Sequence, residues 1–454
     1  MALITVRTDA EQFSYRFVPE THECVSLETG QSIALPTEKI LRLKDQVHPF
    51  NSLNAFRVTL GMACNQSCRY CIQQEHGHRG KIYTKADAAR FLPGFLYLLD
   101  AAGQARDAKP AVNFIGGEPL LHWDALRFIA EGIRSVRPDA HISFITNGTL
   151  LDGSRVKYCL DHGLEIILSH DGPGQALRGR DPLAPHSESY AALLLYSRES
   201  ANPLTVNPVL TRDNDDIGVV YDYLCNRLHR RVRISECFPV RGLHGCADSL
   251  AMSDEQIFGR WLPAAIHCLR TRPLEDFPLF RDLYYALLYN IVTGTPAYPR
   301  GRCTAYADKP FAVDMEGRCL LCHAETPTYR FPRNRDGADT VNAVMTLDDM
   351  MRENMSMDGI AARFRAARHL EDWRDMPRCR DCVSLNACWG CCPKEAGADL
   401  ESGCAVNYAV GLVPLNLMFH MMHKNVIGMD IRPEADARAR NSNSGIRGFF
   451  RTGA

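Results

Sequence analysis

The 454-residue sequence predicts an α/β fold: a parallel sheet of alternating strands and helices, followed by a cysteine-rich region. Two observations carry the prediction. From residue 51 to about 237, short apolar runs alternate with helical patterns six times, and strict β–α alternation argues for parallel strands joined by right-handed crossovers. Most of the eighteen cysteines fall in two fields, Cys64 to Cys71 and Cys303 to Cys404.

Residues 1–50 read as a small β-rich segment, because Leu3-Ile-Thr-Val-Arg7, Phe13 to Val18, Glu23 to Leu27 and Ser32 to Leu35 alternate apolar and polar residues around turn signals. In 51–237 the expected strands are 54–60, 111–115, 141–146, 164–169, 204–210 and 231–236. Helices are expected between them. Thr84-Lys-Ala-Asp87 has capping-box spacing. Leu126, Ile129, Ile133 and Val136 recur at helical spacing, and Asp152 to His162 is followed by a C-capping Gly163. Tyr190–Tyr196 and Ile217–Leu228 complete the series. Residues 238–300 form a helical connector, with Trp261–Thr271 and Asp282–Val292 as its helices. The cysteine-rich region spans 301–430, and 431–454 reads as a disordered tail, being polar and rich in Gly, Ser and Asn.

A net charge of −1 with 23% charged residues provides no global electrostatic footprint for nucleic acid or membrane. Arg227, Arg230, Arg231 and Arg233 read as a solvated face. The N-terminus lacks a basic segment followed by an apolar one, so no secretory signal is expected. Val406 to Met422 is apolar but contains Asn407, Pro414, Asn416 and His420, which favours a buried helix over a membrane span. Eighteen cysteines without export imply a reducing compartment where clustered thiols bind metal, and a cytoplasmic location is expected.

The first field, Cys64-x3-Cys68-x2-Cys71, follows directly on the apolar run Asn54 to Leu60. A loop this short can turn three thiolates toward one point. Thiolates are soft ligands that select iron–sulfur clusters or zinc, and a closed structural site wants four of them. Three leave one iron of a four-iron cluster without a protein ligand. The alternative is half of a zinc site, or three buried cysteines.

With Tyr70 before its last cysteine, this loop resembles the cluster loop of the radical S-adenosylmethionine (radical SAM) enzymes. The resemblance implies a partial (β/α)6 TIM-like barrel with a C-terminal cysteine-rich iron–sulfur domain. It implies that Cys64, Cys68 and Cys71 hold a [4Fe-4S] cluster whose open iron is chelated by SAM, and that SAM is cleaved to a hydrogen-abstracting 5′-deoxyadenosyl radical. The strand ends carry matching motifs. Gly116-Gly117-Glu118-Pro119 looks like the Gly-Gly-Glu element that seats the SAM amino group. Thr146-Asn147-Gly148-Thr149 and Ser169-His170-Asp171-Gly172-Pro173 follow the next two strands. In the family, residues there face the ribose and carboxylate of SAM, so Tyr70, Asn147, Ser169 and Asp171 join Gly116, Gly117 and Glu118 as expected cofactor contacts. Arg178 or Arg180 is a candidate for the SAM carboxylate, because guanidinium suits bidentate recognition. Taken singly, each motif is also an ordinary turn signal.

The second field is Cys303, thirteen residues, Gly317, four residues and Cys322, then Cys379-x2-Cys382-x5-Cys388-x3-Cys392 and Cys404. It resembles the SPASM extension of one radical SAM subgroup, which binds two auxiliary [4Fe-4S] clusters and brings the total to three. The resemblance assigns Cys303, Cys322 and Cys392 to the nearer cluster and Cys379, Cys382, Cys388 and Cys404 to the farther. Full thiolate ligation needs one more cysteine, and Cys319 or Cys391 is the candidate; otherwise one iron stays open. A zinc ribbon on Cys379, Cys382, Cys388 and one more cysteine is the competing account.

The family's commonest work is modification of a peptide or protein, so a peptide or protein substrate, an oxidoreductase-type maturase and an electron donor such as flavodoxin or ferredoxin are expected. One rival is formylglycine formation in sulfatases, where an acidic residue follows the cysteine of Gly-x4-Cys; here that position is His323. Dehydrogenation or epimerisation of a small molecule is another rival, and a zinc-stabilised scaffold is the non-enzymatic one. His323, and Glu236 at the mouth of the sixth strand, are the candidates for a proton-accepting role.

Overall fold

The computed structural model describes residues 1–19, 21–42, 55–71, 80–104, 109–235, 239, 248–294, 312–321, 343–367, 379, 382–388, 400–433 and 450–451. Two sheets organise them. The N-terminal alternation folds into β1 (Ala2–Thr8), β2 (Gln12–Val18) and β3 (Glu23–Ser26), an antiparallel meander, followed by a short helix α1 (Thr37–Arg42). Ser32 contributes only an isolated bridge to Val25.

The βα repeats then run β4 (Ala55–Thr59), α2 (Lys85–Gln104), β5 (Ala111–Ile115), α3 (Trp123–Val136), β6 (His141–Thr146), α4 (Gly153–Asp161), β7 (Leu164–Leu168), α5 (Glu188–Glu199), β8 (Thr205–Val206), α6 (Ile217–Leu228) and β9 (Arg233–Ile234). All six strands are parallel and pair in chain order. The caps form where the residue types placed them. Thr84 and Asp87 bond each other's backbone N–H at the start of α2, Asp152 accepts from Arg155 N at 2.8 Å, and Gly163 takes φ +62° after α4. The last two strands are much shorter than expected. Pro208 has no N–H to give to a ladder, which stops β8 two residues earlier.

Period-2 alternation separates two faces. Phe56, Val58, Val112, Phe114, Ile142, Phe144, Leu164 and Ile166 are buried in the core with the helices, and Phe56 meets Phe95 of α2 edge-on at 6.1 Å. The opposite face carries Arg57, Asn113, Ser143 and Glu165, which are cross-strand neighbours in register. Asn113 donates to Ser143 at 2.8 Å, Thr205 donates to Glu165 at 2.5 Å, and His141 lies 2.9 Å from Glu165. Burial alone would raise the Glu165 pKa; hydrogen bonds from His141 and Thr205 outweigh it and hold the carboxyl below its usual range. A depressed folded-state pKa adds stability above the unfolded value of about 4.3, and that stability is lost as pH falls through the folded value. Glu165→Gln is expected to melt lower than the wild type at pH 7, and the two melting curves should converge below about pH 4. A gap that stays constant across that window would show that the carboxylate charge is not what Thr205 and His141 hold.

On the far side of β4 the sheet continues with β10 (Ala312–Asp314), parallel to β4, and antiparallel β11 (Arg318–Leu320) and β12 (Met345–Thr346). The connector is helical as expected, with helices Leu262–Thr271 and Pro278–Thr293. The arginine cluster is partly solvated, with the Arg231 side chain 55% exposed, and also ties neighbouring segments. Arg231 grips buried Asp276 with two bonds of 2.8 Å, Arg230 donates to Ser200 O at 2.8 Å, and Arg227 donates to Leu183 O. Guanidinium offers five donors, enough to anchor several loops.

The C-terminus bears out one expectation, the buried helix, and corrects another. Helix Leu400–His423 contains a stretch, Cys404–His423, that is long and apolar enough to cross a membrane by length and composition. It is nonetheless 72% buried inside the fold, and its buried Asn416 accepts from Arg270 at 2.6 Å. The tail is also ordered in part. Strand β13 (Val426–Pro433) pairs antiparallel with β1, from Ala2 opposite Pro433 to Val6 opposite Met429, and β14 (Phe450–Arg451) pairs with β13. The N-terminal sheet thus needs the C-terminal strand to cover the edge of β1.

Candidate active site at the ends of the parallel strands

The cysteine loop leaves the C-terminal end of β4 and extends the β4–β5 ladder beyond the strands. Leu60 N–H donates to Ile115 O at 2.9 Å, Gly117 N–H to Gly61 O at 2.8 Å, and Glu118 N–H to Ala63 O at 2.8 Å. This explains both glycines. A Cβ on Gly116 would lie 2.3 Å from Gly61 O, and one on Gly117 would lie 2.3 Å from Ala63 O. Gly116 also has φ +148°, a region that side chains rarely adopt. The close approach they permit is of the cysteine loop's own backbone.

The acidic residue of the motif turns inward. Glu118 is 1% exposed, and its carboxylate accepts from Thr146 Oγ1 at 2.6 Å, Asn147 N–H at 2.8 Å and Leu120 N–H at 3.1 Å. Burial raises its pKa and these donors oppose the rise without cancelling it. Glu118 thereby ties the end of β5 to the end of β6. Asn147 reaches back to the loop, donating to Asn65 Oδ1 at 2.8 Å, while Asn65 donates to Thr149 Oγ1 at 2.9 Å.

At the end of β7, Ser169 is half-buried, with its N–H on Thr146 O at 2.8 Å. Asp171 is 1% exposed and accepts from Arg178 Nη2 at 2.7 Å, from Val209 N–H at 2.8 Å and from the Tyr70 hydroxyl. Glu118 and Asp171 both gather at the cysteine loop, and their carboxylates accept from protein donors that join the strand ends. Tyr70 is buried with its hydroxyl committed to Asp171. Of the two arginine candidates, Arg178 is committed to Asp171, and Arg180 contributes its carbonyl to Gln66 Nε2 at 2.8 Å.

Cys64, Cys68 and Cys71 are half-exposed. Burial pushes the Cys68 thiol up to about 11, eased by Arg178 and reinforced by Cys71 and Cys64. Burial also raises Cys64, with Glu118 and Cys71 adding to the rise. Among the described residues no three Cys, His, Asp or Glu side chains form a closed ion-binding group. The donor set nevertheless fits an iron–sulfur cluster: bound iron would stabilise as thiolates three thiols of one short loop, of which Cys64 and Cys68 resist ionisation. Buried polar atoms without partners also collect here, namely Thr59 Oγ1, Gln66 Oε1, His122 Nε2 and Arg178 Nε. His122 accepts from Tyr83 N–H on Nδ1 at 3.0 Å, so its proton sits on Nε2, and burial keeps the ring neutral with a pKa of about 4. Gln66 and Asn65 were legible as polar residues between cysteines; His122 carried no sequence signal.

The second field is described in part. Cys382 N–H donates to Cys379 O at 3.2 Å in a turn that enters the short helix Leu385–Cys388. Ser384 Oγ donates to Tyr408 O at 2.7 Å, which docks this turn on helix Leu400–His423 beside Cys404. Burial, then Cys382, Asp430 and Cys404, raise the Tyr408 phenol, placing both thiols around it. Gly317 takes φ +75° in the β10–β11 turn. Cys319 is a fully buried side chain of β11 whose thiol faces Gly317 O at 3.8 Å. Cys303, Cys322, Cys391, Cys392, His323 and Glu236 lie outside the described residues.

Residues 58–217 match the family model of the Radical SAM superfamily. Among curated proteins, the radical SAM cyclopropyl synthase TigE of Paramaledivibacter caminithermalis is 22% identical over 185 residues, 38% of this chain and 38% of that protein. GTP 3′,8-cyclase 2 of Mycobacterium tuberculosis is 27% identical over 309 residues, 64% of this chain and 81% of that protein. The chain thus spans well under half of the first relative and most of the second. Among solved structures, native anSMEcpe with bound AdoMet and the Cp18Cys peptide superposes with a TM-score of 0.57 at 16% identity, covering 81% of this chain and 98% of that one. That likeness shows the fold, a partial barrel of the radical SAM type with a cysteine-rich region after it. Residues 58–217 thus carry a radical SAM domain, a family that implies a [4Fe-4S] cluster and SAM.

Proposed function

We propose that this protein is a SPASM-type radical SAM enzyme that modifies a peptide or protein side chain, by crosslinking or a related oxidation. The observation that carries the reading is the second cysteine field. Cys379, Cys382 and Cys388 lie in a short turn and helix that dock, through Ser384 on Tyr408, on the helix that carries Cys404, outside the barrel that holds the first field. Support for a peptide substrate comes from the shared fold with a protein solved with a peptide bound.

In this reading Cys64, Cys68 and Cys71 hold the SAM-binding [4Fe-4S] cluster. Cys303, Cys322 and Cys392 hold one auxiliary cluster, and Cys379, Cys382, Cys388 and Cys404 the other. A reduced cluster with SAM bound there would supply the one-electron chemistry for taking hydrogen from the substrate. The chain's own work is to fix the loop. Glu118 and Asn147 hold its first half to the ends of β5 and β6, and Asp171 and Arg178 hold its second half to the end of β7. His323 and Glu236 are proposed for the proton that leaves the substrate. The reductant is proposed to be flavodoxin or ferredoxin, and the compartment a reducing cytoplasm. The second reading is a small-molecule substrate, favoured by the identity with a GTP cyclase over most of that protein's length.

The test is anaerobic reconstitution with iron and sulfide, reduction, addition of SAM and detection of 5′-deoxyadenosine by mass spectrometry. About twelve irons per chain are expected for three clusters of four. The Cys64→Ala, Cys68→Ala, Cys71→Ala variant should lose about four irons and all product. An iron-replete wild type that forms no 5′-deoxyadenosine with candidate precursor peptides, yet forms it with GTP, would replace the first reading with the second.

A further inference from the structure

The second half of the cysteine loop lies on the loop that follows β7, and the two are joined three times. Gln66 Nε2 donates to Arg180 O at 2.8 Å, Arg69 N–H donates to Leu177 O at 3.0 Å, and the Tyr70 hydroxyl donates to Asp171. Arg178 closes the arrangement from above. Its guanidinium sits 5.4 Å from the Tyr70 ring centroid while pairing with Asp171 at 2.7 Å. The pair is 10% and 1% exposed at its side chains, and Val209 N–H adds a third donor to the carboxylate. One buried cation and one buried anion therefore pair directly beside an aromatic ring placed between two cysteines of the loop.

We propose that Asp171 and Arg178 form a charge-balanced clamp that orders residues 66–71 and keeps either charge from shifting the reduction potential of the cluster held there, instead of contacting SAM. The inference rests on the reading of Cys64, Cys68 and Cys71 as cluster ligands. Its physical basis is simple. Reduction adds negative charge to a cluster, so a nearby uncompensated cation favours it and an uncompensated anion opposes it. A balanced pair is nearly silent, and each single deletion unmasks the opposite sign. Asp171 and Arg178 are positioning residues in this account, acting through Tyr70 and Cys68.

The experiment uses the full chain, as wild type, Asp171→Asn, Arg178→Gln and the double variant. Each is reconstituted, its iron counted, its midpoint potential measured by EPR-monitored titration and its SAM affinity measured directly. Asp171→Asn should raise the potential, Arg178→Gln should lower it, and the double variant should return toward the wild type; contacting residues are non-additive in this way. SAM affinity should change by no more than about twofold, whereas loss of a charged contact to SAM would cost about tenfold or more. Arg178→Gln leaves a buried carboxylate without its cation and is the variant most exposed to misfolding. Asp171→Asn and the double variant decide the question if it fails. Single variants with unchanged potentials, or a tenfold loss of SAM affinity at unchanged potential, would overturn the clamp. Hydrogen exchange at residues 66–71 of the apo protein separates this from the functional reading. Faster exchange in Asp171→Asn supports the ordering role whether or not the wild type takes up iron, and unchanged exchange overturns it. A wild type without iron overturns the cluster assignment and the redox role with it.

Discussion

Gly117→Ala is expected to strip the first cysteine loop of its iron while the rest of the chain stays folded. The added Cβ would lie 2.3 Å from Ala63 O, 2.5 Å from Met62 O and 2.7 Å from Ala63 C. All three are backbone atoms of the loop, so no side chain can swing aside. Relief requires the loop to move off β5, breaking the bonds from Gly117 N–H to Gly61 O and from Glu118 N–H to Ala63 O. Overpacking costs about 1–3 kcal/mol and each lost bond about 1 kcal/mol, so a penalty of roughly 3–5 kcal/mol falls on one loop. Iron per chain and thermal melting check it. A Gly117→Ala protein with full iron and an unchanged melting point would mean that the loop does not depend on this approach.

Glu118→Ala is the second large effect. It removes an acceptor of three protein donors, Thr146 Oγ1 and the N–H groups of Asn147 and Leu120, in a place 1% exposed. Stranding buried donors costs about 1–3 kcal/mol each in the absence of water, and a total near 3–5 kcal/mol is expected once the site relaxes. Glu118→Gln keeps the shape and one acceptor oxygen and should cost about half as much. The pair of variants, compared by denaturant titration and by SAM affinity, separates two roles. An internal organiser makes stability fall in the order Ala, then Gln, with SAM affinity following loop order. A direct SAM contact would make Glu118→Gln lose affinity at nearly full stability.

How far the sequence could be read depended on the range of the interaction. Strands β4 to β7 were legible because every second residue is apolar and buried, a pattern carried within five or six residues. Helix starts at Thr84 and Asp152 were legible because a cap is made three residues from itself. The cysteine spacings were legible for the same reason. Strand β13 was not, because its partner β1 lies at the other end of the chain, and a polar Gly- and Ser-rich flank says nothing about an edge it will cover.

The sequence by itself determined a six-fold βα series, the place of the first cysteine loop at the end of its first strand, and the motifs at the ends of the next three. Only the tertiary structure decided which protein groups those motifs meet. Gly116 and Gly117 make room for backbone, Glu118 and Asp171 are filled by donors from neighbouring strand ends, and Cys319 turns into the core. A residue type states which bonds a side chain is able to make; which of them it has left for a ligand depends on the donors and acceptors that distant strands bring beside it.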